Sequence, residues 1–503
     1  MLVLAVHLYL FFITMSLSPI GFDEGFNLQA PLNLVQGHGY TTEDWLNGGP
    51  RIPFDAVVST GPIVELPVAL SFLVFGVSIS AARIVMLPYL LLLITSLFIL
   101  GRRIAGRWAG LLAAAAVLAL NTRADFPFTV IYGSSDALGE FAAAALIAFA
   151  LVLFPRHRLS AGLVLGFAAL AKFIAFMAVP AFMVALLLVP LAVLPGERPR
   201  RVRELVRFGV LAVVPSVAWE LVKLVSLGPT GYWQSLLGYM RFVFRSGSGA
   251  DGSARAPFYE RAIRLFSAWQ MPTELAIVLA LFLFAAAGYG LYRYWAGGQR
   301  TAPTRFGRLL GRAKHVPLGV WGALGTLAIF FVWWSFIASS TFVRHTMPVL
   351  LVTVPVVYAL AMRGAVAIQS GTRWLRVVGV AFLAITIGVL TLQTTRGVID
   401  APDNPDWTRG QQQEAAAFIR SLDVEQVQGI NWWEAPALRF LSNVPSTPVG
   451  TGTGPLVLEP IMLALDPRLY QIGLDMCVDT LYSRDDFVVC TIDPDTKPLS
   501  ADA

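Results

Sequence analysis

Residues 1–40 are "MLVLAVHLYLFFITMSLSPIGFDEGFNLQAPLNLVQGHGY". An apolar run ends at Ile20, and two adjacent carboxylates, Asp23 and Glu24, follow it at once. About 20 apolar residues are enough to cross a bilayer. The run has no basic leader and no small-residue cleavage motif, which favours a retained first span over a signal peptide. The acid pair is therefore expected at a membrane surface.

The composition of the chain indicates a polytopic membrane protein. Of 503 residues, 56% are hydrophobic and 14% are charged, whereas soluble domains carry about 25% charged residues. Eleven apolar runs are predicted to span the membrane. They cover residues 2–19, 80–100, 109–124, 137–154, 160–177, 179–194, 208–226, 273–292, 317–337, 346–362 and 375–393.

One further apolar stretch, "GPIVELPVALSFLVFG" at 61–76, decides the orientation. Because it is short and interrupted by Glu65 and Pro67, it is predicted to be an interfacial helix within a first external loop, 20–79. Five loops on one side then carry 19 of the 37 Lys and Arg residues but only two of the 31 acids. Short basic loops face the cytoplasm, so the N-terminus is predicted inside and the acid pair outside.

The last 110 or so residues are charged and rich in proline. Residues 1–393 are predicted to form the membrane domain, and 394–503 a small soluble extracytoplasmic α/β domain. "RGQQQEAAAFIRSL" and "EAPALRFLSN" predict helices, whereas "EQVQGINWW" and "DFVVCTID" predict strands. Cys477 and Cys490 lie here, and either a disulfide or two buried thiols would fit.

Several polar side chains lie at the predicted outer ends of spans. Asp136 and Glu140 share a helix face, so their repulsion calls for a cation such as Lys172, Arg83 or a metal. Such acids can act as a general base or bind a divalent cation, and the simpler alternative is a solvated helix end.

Two basic residues, Arg344 and His345 in "TFVRHTMP", also lie at an outer span end. Arginine suits phosphate oxygens, although such a residue can also simply extend to the interface. The loop "RSGSGADGSARAP" at 245–257 is predicted to cover this side of the protein.

An ordered series of motifs resembles the bacterial GT-C glycosyltransferases, in the branch of the protein O-mannosyltransferases and the aminoarabinose transferases that modify lipid A. The series covers roughly the first 360 residues and consists of "FDEGFNLQAPLNLVQGHGY", "STGPIVELPVALSFLVFGVSISAARI", "GRRIAGRWAG", "YGSSDALGEFAAAALIAFAL", "ALAKFIAFMAVPA" and "FVRHTMPVL". No single motif is decisive.

The resemblance implies transfer of a sugar from a polyprenyl-phosphate donor on the outer face of a bacterial inner membrane. It implies that Asp23, with Glu24 beside it, is the catalytic or acceptor-orienting acid. Arg344, His345 and Lys172 would bind the donor phosphate, and Asp136 and Glu140 would position the acceptor. Any divalent cation, Mg²⁺ or Mn²⁺, is expected at Asp23, Asp136 and Glu140.

Two other classes of function remain open at this point. A transporter or flippase for lipid-linked saccharides would place polar residues in mid-membrane and repeat its halves, and neither pattern is seen in the sequence. A glycan polymerase or ligase is harder to separate from a monosaccharide transferase. The acceptor is expected to be a lipid, a glycan or a protein, and no nucleic-acid partner is indicated.

Overall fold

The computed structural model describes most of the chain. The described residues are 2–17, 19–44, 49–55, 59–120, 138–188, 198–245, 273–296, 316–336, 343–369, 409–429, 435–449, 454–459, 467–484 and 486–493, with single positions between 257 and 263 and between 377 and 395. Asp136 and the loop 246–256 lie outside the described residues, as does much of the region around the predicted domain boundary at 393.

The membrane part is built from helices. They are α1 (Leu2–Leu17), α2 (Phe22–Val35), α3 (Pro62–Phe75), α4 (Ile79–Arg83), α5 (Met86–Ala105), α6 (Arg107–Ala119), α7 (Leu138–Leu153), α8 (Arg158–Ala171), α9 (Ala178–Leu188), α10 (Arg198–Arg245), α11 (Thr273–Ala296), α12 (Leu318–Phe336) and α13 (Met347–Gln369). Short 3-10 helices, Phe173–Met177 and Val343–Thr346, precede α9 and α13.

A helix lies at each of the first ten predicted spans, and the eleventh is described only at scattered positions. Within the described part, four helical segments are long and apolar enough to cross a membrane: Ile79–Ala105, Val202–Met240, Leu318–Phe336 and Met347–Ala367. Shorter apolar helices pack with them around one large core. The expectation of a polytopic α-helical membrane protein is confirmed.

The predicted spans 208–226 and 273–292 imply a loop at 227–272, and the structure corrects the start of this loop. Helical structure in α10 continues to Arg245, interrupted at Gly228, whose φ of 68° is not helical. Glycine adopts this conformation without steric cost, and Pro229 then begins a second helical part. The Gly-Pro pair therefore marks a kink, whereas the sequence suggested the end of the helix.

The first external loop is also more ordered than its composition suggested. It contains α2, which begins directly after the first apolar run, and a two-stranded antiparallel pair, β1 (Thr41–Asp44) and β2 (Gly49–Pro53). The helix α3 follows at Pro62 and ends at Phe75, inside the predicted interfacial stretch 61–76. Its last turns expose large apolar side chains, which suits contact with lipid.

The C-terminal part is a small α/β unit, as expected. Its elements are α14 (Arg409–Ser421), β3 (Val427–Gly429), α15 (Ala435–Ser442), β4 (Ser446–Pro448), β5 (Leu456–Leu458), α16 (Pro467–Met476), β6 (Cys477–Arg484) and β7 (Phe487–Ile492). The sheet order is β4-β3-β5-β7-β6, parallel between β3 and its two neighbours and antiparallel elsewhere. Cys477 and Cys490 form a disulfide between the antiparallel pair β6 and β7.

Candidate functional site

The adjacent acids of the first loop lie on different faces of α2. Successive residues of a helix are 100° apart, and Glu24 turns into the protein, where it is fully buried. Arg83, at the end of α4, donates from Nε to Oε1 and from Nη2 to Oε2 of Glu24, both at 2.7 Å. Arg83 also donates to the carbonyl of Pro19 at 2.8 Å. Glu24 is therefore engaged in fixing α2 against α4 and the end of α1.

Asp23 is half-buried and shares a face with Asn27, one turn further along α2. The side-chain oxygen of Asn27 accepts hydrogen bonds from the hydroxyl of Ser59 and, at 3.1 Å, from the backbone N–H of Thr60. Because residues i and i+4 point the same way, the Asp23 face of α2 is directed towards the turn at 59–61.

That turn touches the ends of two membrane helices. The N–H of Gly61 donates to the carbonyl of Ala171, the last residue of α8, at 2.9 Å. A Cβ on Gly61 would lie 1.6 Å from the carbonyl oxygen of Leu170, and one on Gly139 would lie 2.6 Å from that of Ala171. Only glycine permits such close approach of backbones. The start of α7 and the end of α8 are therefore brought together beside Thr60.

Glu140 and Lys172 meet at this junction. The Nζ atom of Lys172 and the Oε1 atom of Glu140 are 3.1 Å apart; the Glu140 side chain is fully buried and the Lys172 side chain is 12% exposed. Lys172 is therefore the cation that the sequence called for next to Glu140, and Arg83 is committed to Glu24 instead. Asp136, the other acid of the expected pair, lies outside the described residues.

Several buried polar atoms at this junction have no hydrogen-bond partner within the described part of the chain. They are Nδ2 of Asn27, Oγ1 of Thr60 and both carboxylate oxygens of Glu140, whose contact with Lys172 is an ion pair without hydrogen-bond geometry. Leaving such a group unpaired costs about 1–3 kcal/mol. A group of buried donors and acceptors that lack hydrogen bonds is suited to a polar ligand or water.

A second group of polar residues was missed as functional from the sequence. Glu65 of α3 is 1% exposed, and neither carboxylate oxygen has a described partner. Burial raises the pKa of Glu65 well above its usual value. Burial, followed by the nearby charges of Glu65 and Asp55, likewise raises the pKa of Tyr40. The ring of Tyr40 packs edge-on against Trp219 of α10, at 5.1 Å between centroids.

The signal for Glu65 was present in the sequence. A carboxylate inside an apolar run is costly and is therefore a functional candidate by default. From the sequence, Glu65 was interpreted only as a sign that 61–76 does not cross the membrane. The same carboxylate lies near Tyr40, another residue of the first loop.

The segment with Arg344 and His345 forms the 3-10 helix Val343–Thr346. His345 is half-buried, whereas the side chain of Arg344 is outside the described set. Val349, in the first turn of α13, belongs to a small apolar cluster that also includes Ile174 and Met177, which closely follow Lys172. This packing brings the start of α13 to the same region of the protein as Lys172.

The expected metal ligands are only partly brought together. Among the described residues, no three His, Cys, Asp or Glu side chains are grouped as a metal site. Of the three expected ligands, Glu140 is paired with Lys172 and Asp136 is not described. These residues do not by themselves form a fit for Mg²⁺ or Mn²⁺, which prefer several oxygen ligands.

Comparison with solved structures identifies the architecture. ArnT from Cupriavidus metallidurans, in the apo state, has a TM-score of 0.60 and 14% identity, with 99% of this chain and 98% of that chain covered. The same protein bound to undecaprenyl phosphate gives a TM-score of 0.60 and 14% identity, covering 99% of both chains. The chain has a GT-C fold.

A second GT-C protein is similar over the whole of this chain. The archaeal oligosaccharyltransferase AglB from Archaeoglobus fulgidus, in complex with an inhibitory peptide and a dolichol-phosphate, has a TM-score of 0.56 and 12% identity, covering 99% of this chain and 75% of that chain. No protein-family model and no curated protein matches the sequence. At these identities the likeness concerns the GT-C fold.

Proposed function

We propose that this chain, which has a GT-C fold, is an integral-membrane glycosyltransferase. It moves a sugar from a polyprenyl-phosphate donor to an acceptor on the extracytoplasmic face of the membrane that holds it. The observation that carries the proposal is the ion pair of Lys172 and Glu140, which lies among buried polar atoms without a described hydrogen-bond partner, next to the Asp23 face of α2. The structures of ArnT with undecaprenyl phosphate and of AglB with a dolichol-phosphate support this donor class.

The reaction needs a base for the acceptor and a positive charge for the leaving phosphate. In our proposal, the carboxylate of Asp23 takes the proton of the acceptor hydroxyl as its oxygen attacks the anomeric carbon. The bond from that carbon to the phosphate oxygen breaks, and polyprenyl phosphate leaves. Attack from the side opposite the phosphate inverts the anomeric centre.

Lys172 is the group we assign to the developing phosphate charge. Its ammonium is largely withdrawn from solvent, which strengthens its interaction with an anion. Arg344 and His345 are assigned to the same phosphate, supported by the packing of the α13 start against the segment after Lys172. Glu140 keeps Lys172 in place and, with Asp136, positions the acceptor.

We assign Glu24 a positioning role, although the sequence grouped it with Asp23 as catalytic. Both of its carboxylate oxygens accept hydrogen bonds from Arg83, and the pair is withdrawn from solvent. Because both oxygens of Glu24 are already engaged by Arg83, we assign the role of base to Asp23, which is half-buried.

We further propose that the protein lies in a bacterial inner membrane with its N-terminus in the cytoplasm and residues 394–503 outside. The basic loops support this orientation. The disulfide between Cys477 and Cys490 supports it independently, because such bonds persist in oxidising compartments.

The test is sugar transfer by membranes that contain the protein, with a panel of radiolabelled polyprenyl-phosphate sugars and, in parallel, diphosphate-linked oligosaccharides. We expect turnover of a polyprenyl-phosphate sugar that is lost in Asp23→Asn, while the variant is still inserted and binds donor. Turnover of the oligosaccharide donors alone would favour the polymerase or ligase. Movement of the donor across vesicle membranes without transfer would favour the transporter.

A further inference from the structure

A cavity of about 580 Å³ lies between the membrane part and the C-terminal unit. Leu32 and Gln36, at the end of α2, line one side, and Val77 and Ser78, between α3 and α4, line another. The remaining wall comes from α14 and α15 with the residues that follow α15. Nothing in the proposed reaction uses this space.

The cavity is separate from the proposed reaction site around Lys172 and Asp23. Leu32 follows Asp23 by nine residues, which places the two side chains roughly 180° apart around α2. The Asp23 face of α2 is directed towards the turn at 59–61, whereas the Leu32 face is directed towards the C-terminal unit. A molecule in the cavity would therefore lie behind α2, away from the reacting groups.

The charge of the lining is positive. Arg409 and Arg420 contribute to it, and the lining contains no acidic residue among those that the structure describes. Arg409 is held in place, because it donates to the carbonyls of Met15 and Ser16 at 3.0 and 3.1 Å. Burial, and to a smaller extent Arg83, lowers the pKa of Arg409, and the charge of Glu24 opposes this effect. An anion in the cavity would offset the cost of burying the guanidinium of Arg409.

The mouth of the cavity continues into an apolar surface. Val77 is 48% exposed and directly follows the last turn of α3, where Leu73, Val74 and Phe75 are 69%, 64% and 72% exposed. Exposed apolar side chains in a row are expected to contact another molecule or lipid. A free inorganic anion would make no use of this surface, whereas the chains of a lipid would cover it.

We propose that this cavity binds the headgroup of an anionic phospholipid. Its phosphate would pair with an arginine of the cavity lining, and its acyl chains would cover the exposed end of α3. The bound lipid would join the C-terminal unit to the membrane surface. This site is additional to the donor site and does not depend on the glycosyltransferase proposal.

The test is lipid binding by the purified full-length protein in detergent, measured by native mass spectrometry. The ligands are dioctanoyl phosphatidylglycerol, dioctanoyl phosphatidylcholine and inorganic phosphate. We expect phosphatidylglycerol to bind at least fivefold more tightly than phosphatidylcholine, since one unit of charge near a basic surface contributes about that factor. Binding of inorganic phosphate as tight as that of the lipid would overturn the proposal.

Variants at the mouth test the role of charge without disturbing the fold, because Val77 is exposed. Val77→Glu should weaken phosphatidylglycerol binding about fivefold, and Val77→Lys should strengthen it by a similar factor. Arg420→Gln should also weaken it. The matched control is Arg484→Gln, which removes an exposed arginine that pairs with Glu414 of α14. Equal binding by the two Val77 variants, or equal loss in the control, would refute the site.

Discussion

Replacing Glu24 with Gln should destabilise the protein and lower the rate of transfer less than Asp23→Asn does, whereas Asp23→Asn should leave the stability unchanged. The two residues are neighbours, but only Glu24 forms the buried bidentate pair with Arg83. The glutamine has nearly the same shape and removes the negative charge. It therefore leaves the guanidinium of Arg83 buried with no anion beside it.

The size of the effect follows from that pair. Breaking a buried ion pair by removing one partner costs about 3–5 kcal/mol. The carbonyls of Thr14, Met15 and Pro19 also accept from Arg83, at 3.4, 3.3 and 2.8 Å, and partly solvate the remaining charge. We therefore expect about 3 kcal/mol. With an unfolding entropy of about 2.1 cal/mol/K per residue, this lowers the Tm of a chain of this length by about 3 °C.

The assay is thermal unfolding of the purified protein together with the transfer assay. The control is Glu204→Gln, since the Glu204–Arg158 pair also has a 2.8 Å contact but is about one-third exposed; its loss should cost less than about 1 kcal/mol. Asp23→Asn should lower kcat roughly 10²- to 10⁴-fold, the usual contribution of a general base, at an unchanged Tm. A Glu24→Gln variant with wild-type Tm and the larger loss of kcat would refute our assignment.

Three other perturbations have expected outcomes. Burial raises the pKa of Glu65, so above pH 4.5 the unfolded chain loses a proton that the folded protein keeps, and stability falls as the pH rises. Glu65→Gln should therefore raise the Tm more at pH 8 than at pH 5. The exposed control Glu414→Gln should show no such difference. Removing the disulfide in Cys477→Ser/Cys490→Ser should cost about 3 kcal/mol of C-terminal stability, and wild-type protein from cells should react with a maleimide only after reduction. Treatment with EDTA should leave transfer within about twofold, because we assign the positive charge at the phosphate to Lys172; loss of activity that Mg²⁺ or Mn²⁺ restores would support a metal site that includes Asp23.

The parts of the structure that follow from local patterns were accessible from the sequence. The apolar runs located the membrane helices, and amphipathic or alternating patterns located α14, α15 and β7. Repulsion between the two acids of the second pair called for a cation, and Lys172, one of the three candidates beside Arg83 and a metal, is the one that pairs with Glu140. These inferences rest on the free-energy cost of placing a single polar or charged group in an apolar environment. That cost can be judged from the residue type and its neighbours in the sequence.

The pairings between distant segments were not accessible in the same way. Arg83 and Glu24 are 59 residues apart, and nothing local distinguishes Glu24 from Asp23 as its partner. The kink at Gly228 has the same Gly-Pro signature as a helix end. In each case the outcome depends on what packs against the segment in three dimensions, and a single sequence does not contain that information in a local pattern.

The C-terminal unit reaches the proposed site through one of these long-range contacts. The side chain of Gln412, buried in α14, accepts from the N–H of Ile20 at 2.8 Å and donates to its carbonyl at 2.9 Å. Ile20 precedes Asp23 by three residues, and Arg83 holds the carbonyl of Pro19 immediately before it. A base works only when its position is fixed against the substrate, because small displacements cost large factors in rate. In this protein, the segment that leads into Asp23, our proposed base, is held on one side by α4 and on the other by α14. The C-terminal unit is thus part of the support of the proposed site, since it fixes the segment from which α2 begins.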